Sequence, residues 1–336
     1  MKELLKVQNL RKTFKISAKQ QKIERTKERI KVAVDNLSFT AYEGEVFGLL
    51  GPNGAGKTTT LRMMSALVKP DKGDVLVDGA SVVKNPEEVR KKIGFLTSEL
   101  KLEEFFTPNY LFTFFSELHG VDKETAAARK QSLFDKFGIT KFAEVKVGDL
   151  STGMKQKISL VISIVHDPDI IIFDEPTSVL TPQGIQGLFE AVRFLVKNGK
   201  TVLFITHKLK EVMEIADQIT VLKNGRCVGS VKPEETDEHG LAAMMVGREV
   251  ILTAQKEEKK KGEVLLDVRN LSVPDYEGRE KLKDVSFTLH RGEILGIAGV
   301  AGSGQQELVE GLFGLKKSSR GEVFFNGKNI TSTMFL

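Results

Sequence analysis

The clearest chemistry in this sequence lies in a glycine-rich segment that ends in a lysine and two threonines, Gly51–Thr59. An apolar stretch, Val46–Leu50, precedes it, and a helix-like stretch, Thr60–Met64, follows it. In this context glycines let backbone N–H groups approach a phosphate, and the helix start adds positive potential. Lysine supplies a cation and threonine a hydroxyl for Mg²⁺. The segment therefore predicts a phosphate-binding loop with contacts from Gly51, Asn53, Gly54, Gly56, Lys57, Thr58 and Thr59.

Two adjacent carboxylates, Asp174 and Glu175, follow a second apolar stretch, Ile170–Phe173. Acids at the carboxyl end of a buried parallel strand lie where α/β proteins form their ligand sites. We expect Asp174 to hold Mg²⁺ through its water shell and Glu175 to act as general base for an attacking water. A third apolar stretch, Val202–Ile205, ends near His207, which could contact the outer phosphate and that water. Alone, a histidine at a strand end is as often structural.

The apolar stretches alternate with helix-like segments, which predicts an α/β fold whose parallel sheet is covered by helices. The region of about residues 100–166 is richer in helix-like spacing. Its aromatic residues indicate either a helical core or an exposed docking face for a partner helix. These residues are Phe105, Phe106, Tyr110, Phe112, Phe114 and Phe115.

The beginning of the chain is repeated near its end. Leu5–Leu10 recurs as Leu266–Leu271, and Gly44-Glu45-Val46 recurs as Gly292-Glu293-Ile294. The first copy carries 13 extra residues between Phe14 and Val32, in a largely basic stretch. We expect this insertion to be a helical or flexible surface segment, either simply solvated or in contact with phosphate or lipid.

The repeat and a charged run between its copies predict the domain organisation. We expect a first domain over residues 1–250, a linker over 251–262, and a partial second copy over 263–336. At the position of the phosphate loop, the second copy keeps its glycines but has Gln305 and Gln306 in place of lysine and threonine. It lacks later motifs, so we expect no hydrolysis there. Its small size predicts a marginal, partly disordered or weakly docked piece.

The amino-acid composition narrows the cellular compartment and the kinds of partner to be expected for this protein. The 336 residues suit about two domains. The net charge of +5 is a mild excess that is typical of plain solubility and leaves contact with nucleic acid or an anionic membrane surface open. A single cysteine, Cys227, with no signal peptide favours the reducing cytoplasm. No apolar run reaches the roughly 18 residues of a membrane-spanning helix, so another chain would have to cross any membrane that this protein serves.

Together these motifs resemble those of ABC-type ATPases over about 250 residues. Gly51–Thr59 is similar to the Walker A loop, Leu150–Gln156 to the signature motif, Asp174–Thr177 to Walker B and His207 to the switch histidine. The resemblance implies a P-loop NTPase fold of the ABC type, with a parallel core sheet, an antiparallel β subdomain and a helical subdomain. A partial second copy follows at the C-terminus.

The resemblance also implies a nucleotide-dependent, head-to-tail dimer of ATPase domains with two ATP molecules between them. Ser151 and Gly153 would then present N–H groups to the ATP γ-phosphate of the opposite site. Phe14 would stack on adenine; by composition alone it is as likely a core residue at a strand end. Lys57, Glu175 and His207 would be the catalytic residues.

The implied function is an ATP-binding and ATP-hydrolysing subunit that energises an ABC membrane transporter, with ATP and Mg²⁺ as cofactors. It would dock on separate transmembrane permease subunits, in the cytoplasm at the inner face of the cell membrane. One alternative is a soluble ABC ATPase that acts on nucleic acid or ribosomes. Another is a non-productive fusion.

Some positions depart from the family pattern. Thr152 and Met154 replace the usual glycine and glutamine of the signature, Ser98 stands where a metal-sensing glutamine is expected, and Thr181 replaces an aspartate. Residues 1–176 resemble sodium-efflux exporters, whereas residues 178–336 resemble the tandem ATPases of sugar and nucleoside importers. This switch suggests a chimera.

Overall fold

A computed structural model of the chain describes residues 2–24, 26–97, 102–178, 180–247, 261–299 and 302–331. The chain divides into two compact units, Met1–Leu252 and Thr253–Leu336. Ser98, which aligns with the metal-sensing glutamine, lies outside the described residues, as does most of the charged run between the units. Among the described residues, no helix combines the length and the apolar character required to cross a membrane.

The first unit contains two sheets and nine described helices. Its strands are β1 (Glu3–Lys15), β2 (Ile30–Tyr42), β3 (Val46–Leu50), β4 (Lys72–Val77), β5 (Ala80–Ser81), β6 (Ile93–Thr97), β7 (Ile170–Asp174), β8 (Thr201–Thr206), β9 (Gln218–Lys223) and β10 (Arg226–Val231). Its helices are α1 (Ala18–Glu24), α2 (Lys57–Met64), α3 (Pro86–Lys92), α4 (Pro108–Leu118), α5 (Lys123–Phe137), α6 (Thr152–Ser163), α7 (Pro182–Lys197), α8 (Leu209–Ile215) and α9 (Glu238–Val246).

The central sheet has the strand order β10-β9-β3-β8-β7-β6. Strands β9, β3, β8, β7 and β6 run parallel, and β10 adds an antiparallel edge to β9. All of β3 and β8 is buried, as continuous apolar strands covered on both faces should be. The predicted α/β fold is confirmed, and the carboxyl ends of β3 and β7 lie at the same edge of the sheet.

The second sheet of the first unit is antiparallel, with the order β2-β1-β4-β5. Strands β1 and β2 pair along their whole length, as far as Lys15 opposite Ile30. The basic insertion lies at the end of this hairpin and contains the short helix α1. The antiparallel subdomain implied by the resemblance is therefore present.

A helical region formed by α4, α5 and α6 makes up the rest of the first unit. Its aromatic residues divide between core and surface. Phe112 is 1% exposed and packs edge-on against Phe134, whereas Phe105, Tyr110 and Phe114 are 62%, 49% and 46% exposed. The structure thus places Phe112 in the helical core, whereas a docking face on the exposed members stays a prediction.

The second unit forms one antiparallel sheet with the order β12-β11-β13-β14 and one described helix. These elements are β11 (Val264–Pro274), β12 (Glu280–His290), β13 (Arg320–Phe325), β14 (Lys328–Asn329) and α10 (Gln305–Leu312). Its own small core comprises Val268, Leu271, Val273, Leu282, Leu308 and Val323. The described part of this unit thus has a small core of its own, because α10 packs against β11 and β12. That the unit is marginally stable stays a prediction.

Candidate functional site

A cavity of about 790 Å³ in the first unit opens at the carboxyl ends of β3 and β7. The structure brings most of the predicted site residues to it. The lining includes Phe14, Asn53, Gly54, Gly56, Lys57, Thr58, Thr59, Asp174, Glu175 and His207.

Backbone geometry explains the glycines of the loop between β3 and α2. A Cβ on Gly51 would lie 2.5 Å from the carbonyl oxygen of Leu222. Gly56 has a φ of +100°, and a Cβ there would lie 2.5 Å from the carbonyl oxygen of Ala33. Only glycine fits both positions, so the loop wraps closely around the cavity and α2 begins there with its N–H groups unpaired by any side-chain cap.

Lys57 is the buried cation of the cavity, with 6% of its surface exposed. Its ammonium donates hydrogen bonds to the carbonyl oxygens of Gly51 at 2.6 Å and Pro52 at 3.3 Å. The same nitrogen lies 3.4 Å from Glu175 Oε1. The loop thus holds the ammonium beside a carboxylate that comes from a different strand.

The two predicted carboxylates lie at the end of β7. Asp174 is the last residue of the strand, and Glu175 follows with a φ of +50°. His207, just after β8, has its Nδ1 2.8 Å from Glu175 Oε2. Glu175 therefore lies between Lys57 and His207, with one carboxylate oxygen towards each.

Phe14 also lines the cavity, and its side chain is 43% exposed. Lys31 pairs with it across the β1–β2 hairpin and also lines the cavity, beside Ala33. The sequence placed Lys31 in the basic insertion, for which contact with phosphate was one alternative, but did not assign it to the site. The hairpin register assigns it, because residues opposite each other in an antiparallel pair lie on the same face.

The sequence interpretation also did not predict other residues that line the cavity. Thr97 ends β6, and Ser178 follows the Walker B-like segment. Their contribution depends on strand order, since β6 and β7 run side by side only in the folded sheet.

Ser151 and Gly153 do not line this cavity. Ser151 instead caps α6, and its hydroxyl accepts a hydrogen bond from the Met154 N–H at 3.3 Å. Gly153 has no atom within 4 Å of a Cβ built on it, which indicates open space at the start of this helix. Ser151 and Gly153 thus lie at the start of α6, which runs to Ser163.

Comparison with known proteins gives consistent findings. A profile of the family described as ABC transporter matches residues 34–178 and 282–335. The guanosine import ATP-binding protein NupO of Bacillus subtilis is 38% identical over 304 residues, which are 89% of this chain and 60% of that protein. The ribose import ATP-binding protein RbsA of Clostridium tetani is 34% identical over 90% of this chain and 60% of its own length. This chain thus spans about 60% of the length of these relatives.

Solved structures support the same fold. An ATP-binding subunit of an ABC transporter is 25% identical, with a TM-score of 0.58, over 68% of this chain and 90% of that chain. A dimeric, post-hydrolysis ATP-binding cassette bound to ADP and Pi is 26% identical, also with a TM-score of 0.58, over 68% and 99% of the two chains.

Proposed function

The chain belongs to the ABC transporter family, and on that premise we propose that its first unit binds and hydrolyses ATP to energise a transporter. The observation that supports this most strongly is the contact of Glu175 with both Lys57 and His207, inside a cavity lined by the glycine-rich loop. A cation, a carboxylate and an imidazole from three different elements meet there. Phosphoryl transfer to water requires such groups.

The triphosphate would lie along the loop and the start of α2. Unpaired N–H groups and the helix dipole favour its negative charge, and Lys57 is already held at the loop. Phe14 lines the same cavity and is exposed enough to stack on adenine. The cavity thus offers polar groups for the phosphates and an aromatic ring for the base.

Mg²⁺ fits the oxygen donors of this cavity. Thr58 offers a hydroxyl and Asp174 a carboxylate, and both line the same cavity as Lys57. The described residues contain no group of three or more His, Cys, Asp or Glu side chains that would hold a metal. Mg²⁺ suits a site with one carboxylate and substrate phosphates, and bound there it would neutralise charge on the phosphate oxygens.

Glu175 is the proposed general base. Phosphate oxygens would compete with its Oε1 for the Lys57 ammonium, which lies only 3.4 Å away. The carboxylate released from that contact could then accept a proton from the attacking water, while His207 keeps its orientation. A positioned base of this kind contributes about 10²–10⁴-fold to a rate.

We further propose that two such units dimerise around ATP. Ser151 and Gly153 lie away from their own cavity, at the open N-terminal end of α6. In a head-to-tail dimer this helix start would complete the partner's site, since its N–H groups favour a phosphate.

The transported substrate and the permease belong to the proposal as well. The relatives are named as import ATP-binding proteins, which favours import of a nucleoside or sugar. The resemblance of residues 1–176 to exporters stays a prediction. Exposed Phe105, Tyr110 and Phe114 offer an apolar face to a separate transmembrane subunit, with this chain at the inner face of the membrane.

Substitution of the proposed base tests this function. We expect Glu175→Gln to lower ATP hydrolysis by about 10²–10⁴-fold and to keep ATP binding, because the amide cannot accept the proton of water. Phosphate release and equilibrium binding of ATP with Mg²⁺ measure the two effects. Glu214→Gln, an exposed carboxylate on α8 paired with Arg193, is the matched control. Turnover of Glu175→Gln close to that of the wild type would refute the assignment.

A further inference from the structure

A partly buried polar network of Thr177, Lys208 and Glu211 lies beside the Glu175–His207 contact, on residues that do not line the cavity. The Thr177 hydroxyl donates a hydrogen bond to Glu211 Oε2 at 2.6 Å. The Lys208 ammonium donates to the Thr177 carbonyl at 3.1 Å, to the Thr177 hydroxyl at 3.0 Å and to Glu211 Oε1 at 2.9 Å. Thr177 is 1% exposed and Glu211 is 7% exposed. Three acceptors therefore match the three donors of one lysine.

The network joins the two turns that carry the proposed base and the histidine. Thr177 follows Glu175 by two residues, and Lys208 directly follows His207. Glu211 lies in the first turn of α8, which begins just after Lys208. A single ammonium group thus ties the turn after β7 to the turn after β8.

The turn after β7 needs such support. Glu175 has a left-handed backbone, with a φ of +50°, which is strained for a residue with a side chain. Its N–H donates to the Ile205 carbonyl at 2.9 Å, and the Gln156 side chain donates to the Pro176 carbonyl. Lys208 adds a charged tether to this set, and it belongs to the same turn as His207.

We propose that Lys208 is a positioning residue for hydrolysis, which holds the Glu175 carboxylate against His207 by fixing the Thr177 turn. This inference rests on the proposed function. Lys208 itself does not line the cavity, so its effect on the reaction passes through Thr177 and the turn that carries Glu175. Nucleotide binding depends on the loop and on Phe14, which this network does not contact.

The test measures kcat and KM of the full chain separately. We expect Lys208→Met to lower kcat by about 10–100-fold, since a small displacement of a reacting group costs that much. The KM for ATP should stay within about threefold of the wild type, because the phosphate loop is untouched. Lys208→Arg keeps a cation with several donors and should recover part of the kcat.

Lys200→Met is the matched control. Lys200 is also a partly exposed lysine in an ion pair, with Asp167 at 2.7 Å, but neither residue lines the cavity. We expect its kcat to equal that of the wild type. If Lys208→Met gives no folded protein, Thr177→Val, which removes the shared hydroxyl, should show the same loss of kcat at unchanged KM.

The possible outcomes separate the two proposals. A wild-type chain that does not hydrolyse ATP would overturn the proposed function and this inference with it. An active wild type with an unchanged kcat in Lys208→Met would overturn this inference alone. So would parallel losses of kcat, ATP affinity and melting temperature in both Lys208 variants, since these indicate general structural damage.

Discussion

The same sequence pattern adopts two different structures in the two units. In the first unit Gly44-Glu45 leads into β3, which pairs with β8 on one side and β9 on the other and is buried throughout. In the second unit Gly292-Glu293 leads into residues 294–298, which are not a strand and pair with none of the described strands. Ile294 is 93% exposed there, whereas Val46 is 3% exposed. The repeated segment is thus a strand buried on both faces only in the first unit, where neighbouring strands pair with it.

The pKa values of the two glutamates in this repeated turn shift in opposite directions. Glu45 Oε1 accepts a hydrogen bond from the Tyr42 N–H, and Glu293 Oε2 accepts the equivalent bond from the His290 N–H. Burial nevertheless raises the pKa of Glu45 above its ordinary value of 4.5. Hydrogen bonds from His290 and Lys261 instead lower the pKa of Glu293 to about 2. The two pKa values shift in opposite directions, because burial dominates at Glu45, whereas the hydrogen bonds from the His290 backbone and from the Lys261 and His290 side chains dominate at Glu293.

Truncation of matched apolar side chains should give the largest contrast between the units. Leu49 is fully buried in β3, so we expect Leu49→Ala to lower the free energy of unfolding by about 2–5 kcal/mol. Ile297 at the equivalent position is 51% exposed, and Ile297→Ala should cost less than about 0.5 kcal/mol. Urea unfolding followed by circular dichroism measures both. Equal losses would contradict the contrast drawn between the two segments.

Exchange of the loop residues tests which unit carries the chemistry. We expect Lys57→Gln to lower ATP hydrolysis by about 10²–10³-fold, because the cation at the phosphates is lost. Gln305→Lys should restore nothing in that background, since the described part of residues 261–331 has no strand that ends in a carboxylate pair like Asp174 and Glu175. Phosphate release by the single and double variants decides this. Recovery of activity in the double variant would show that the second loop is competent.

The pH dependence of the two glutamates should give the smallest effect, with opposite signs. Folding raises the pKa of Glu45, so its contribution to stability is present at low pH and is lost as pH rises through that raised pKa. Folding lowers the pKa of Glu293, so its contribution is lost as pH falls from about 4.5 towards 2. Titration of ¹³C-labelled glutamate side chains by NMR should order the two pKa values accordingly. A Glu45 value below that of Glu293 would reverse the interpretation.

Much of the candidate site could be predicted because its signals are local. Lys57 follows a glycine pattern, and Asp174 and Glu175 follow an apolar run, so each is visible within ten residues of sequence. Lys31 and Thr97 could not be found in this way, because their position at the cavity depends on hairpin register and on strand order. The network around Lys208 was not predicted from the sequence either, because the acceptors of the Lys208 ammonium come from different turns.

The aromatic residues of α4 show that a sequence pattern does not by itself predict which side chains are buried. Phe112 and Phe114 are two residues apart and of the same type, yet one is buried and the other is 46% exposed. Helical spacing indicates that they point in different directions, but only the packing of α5 and α6 decides which direction is the interior.

The sequence by itself determined the phosphate loop, the paired carboxylates, the alternation of strands and helices and the repeat, because these depend on residue types at short spacing. Tertiary structure alone decided that Glu175 lies between Lys57 and His207, and that the repeated apolar segment is a strand in one unit only. The physical reason is that a strand obtains its hydrogen bonds and its burial from neighbours distant in sequence. A short sequence pattern limits the structures that a segment can form, and the surrounding fold supplies its hydrogen-bond and packing partners.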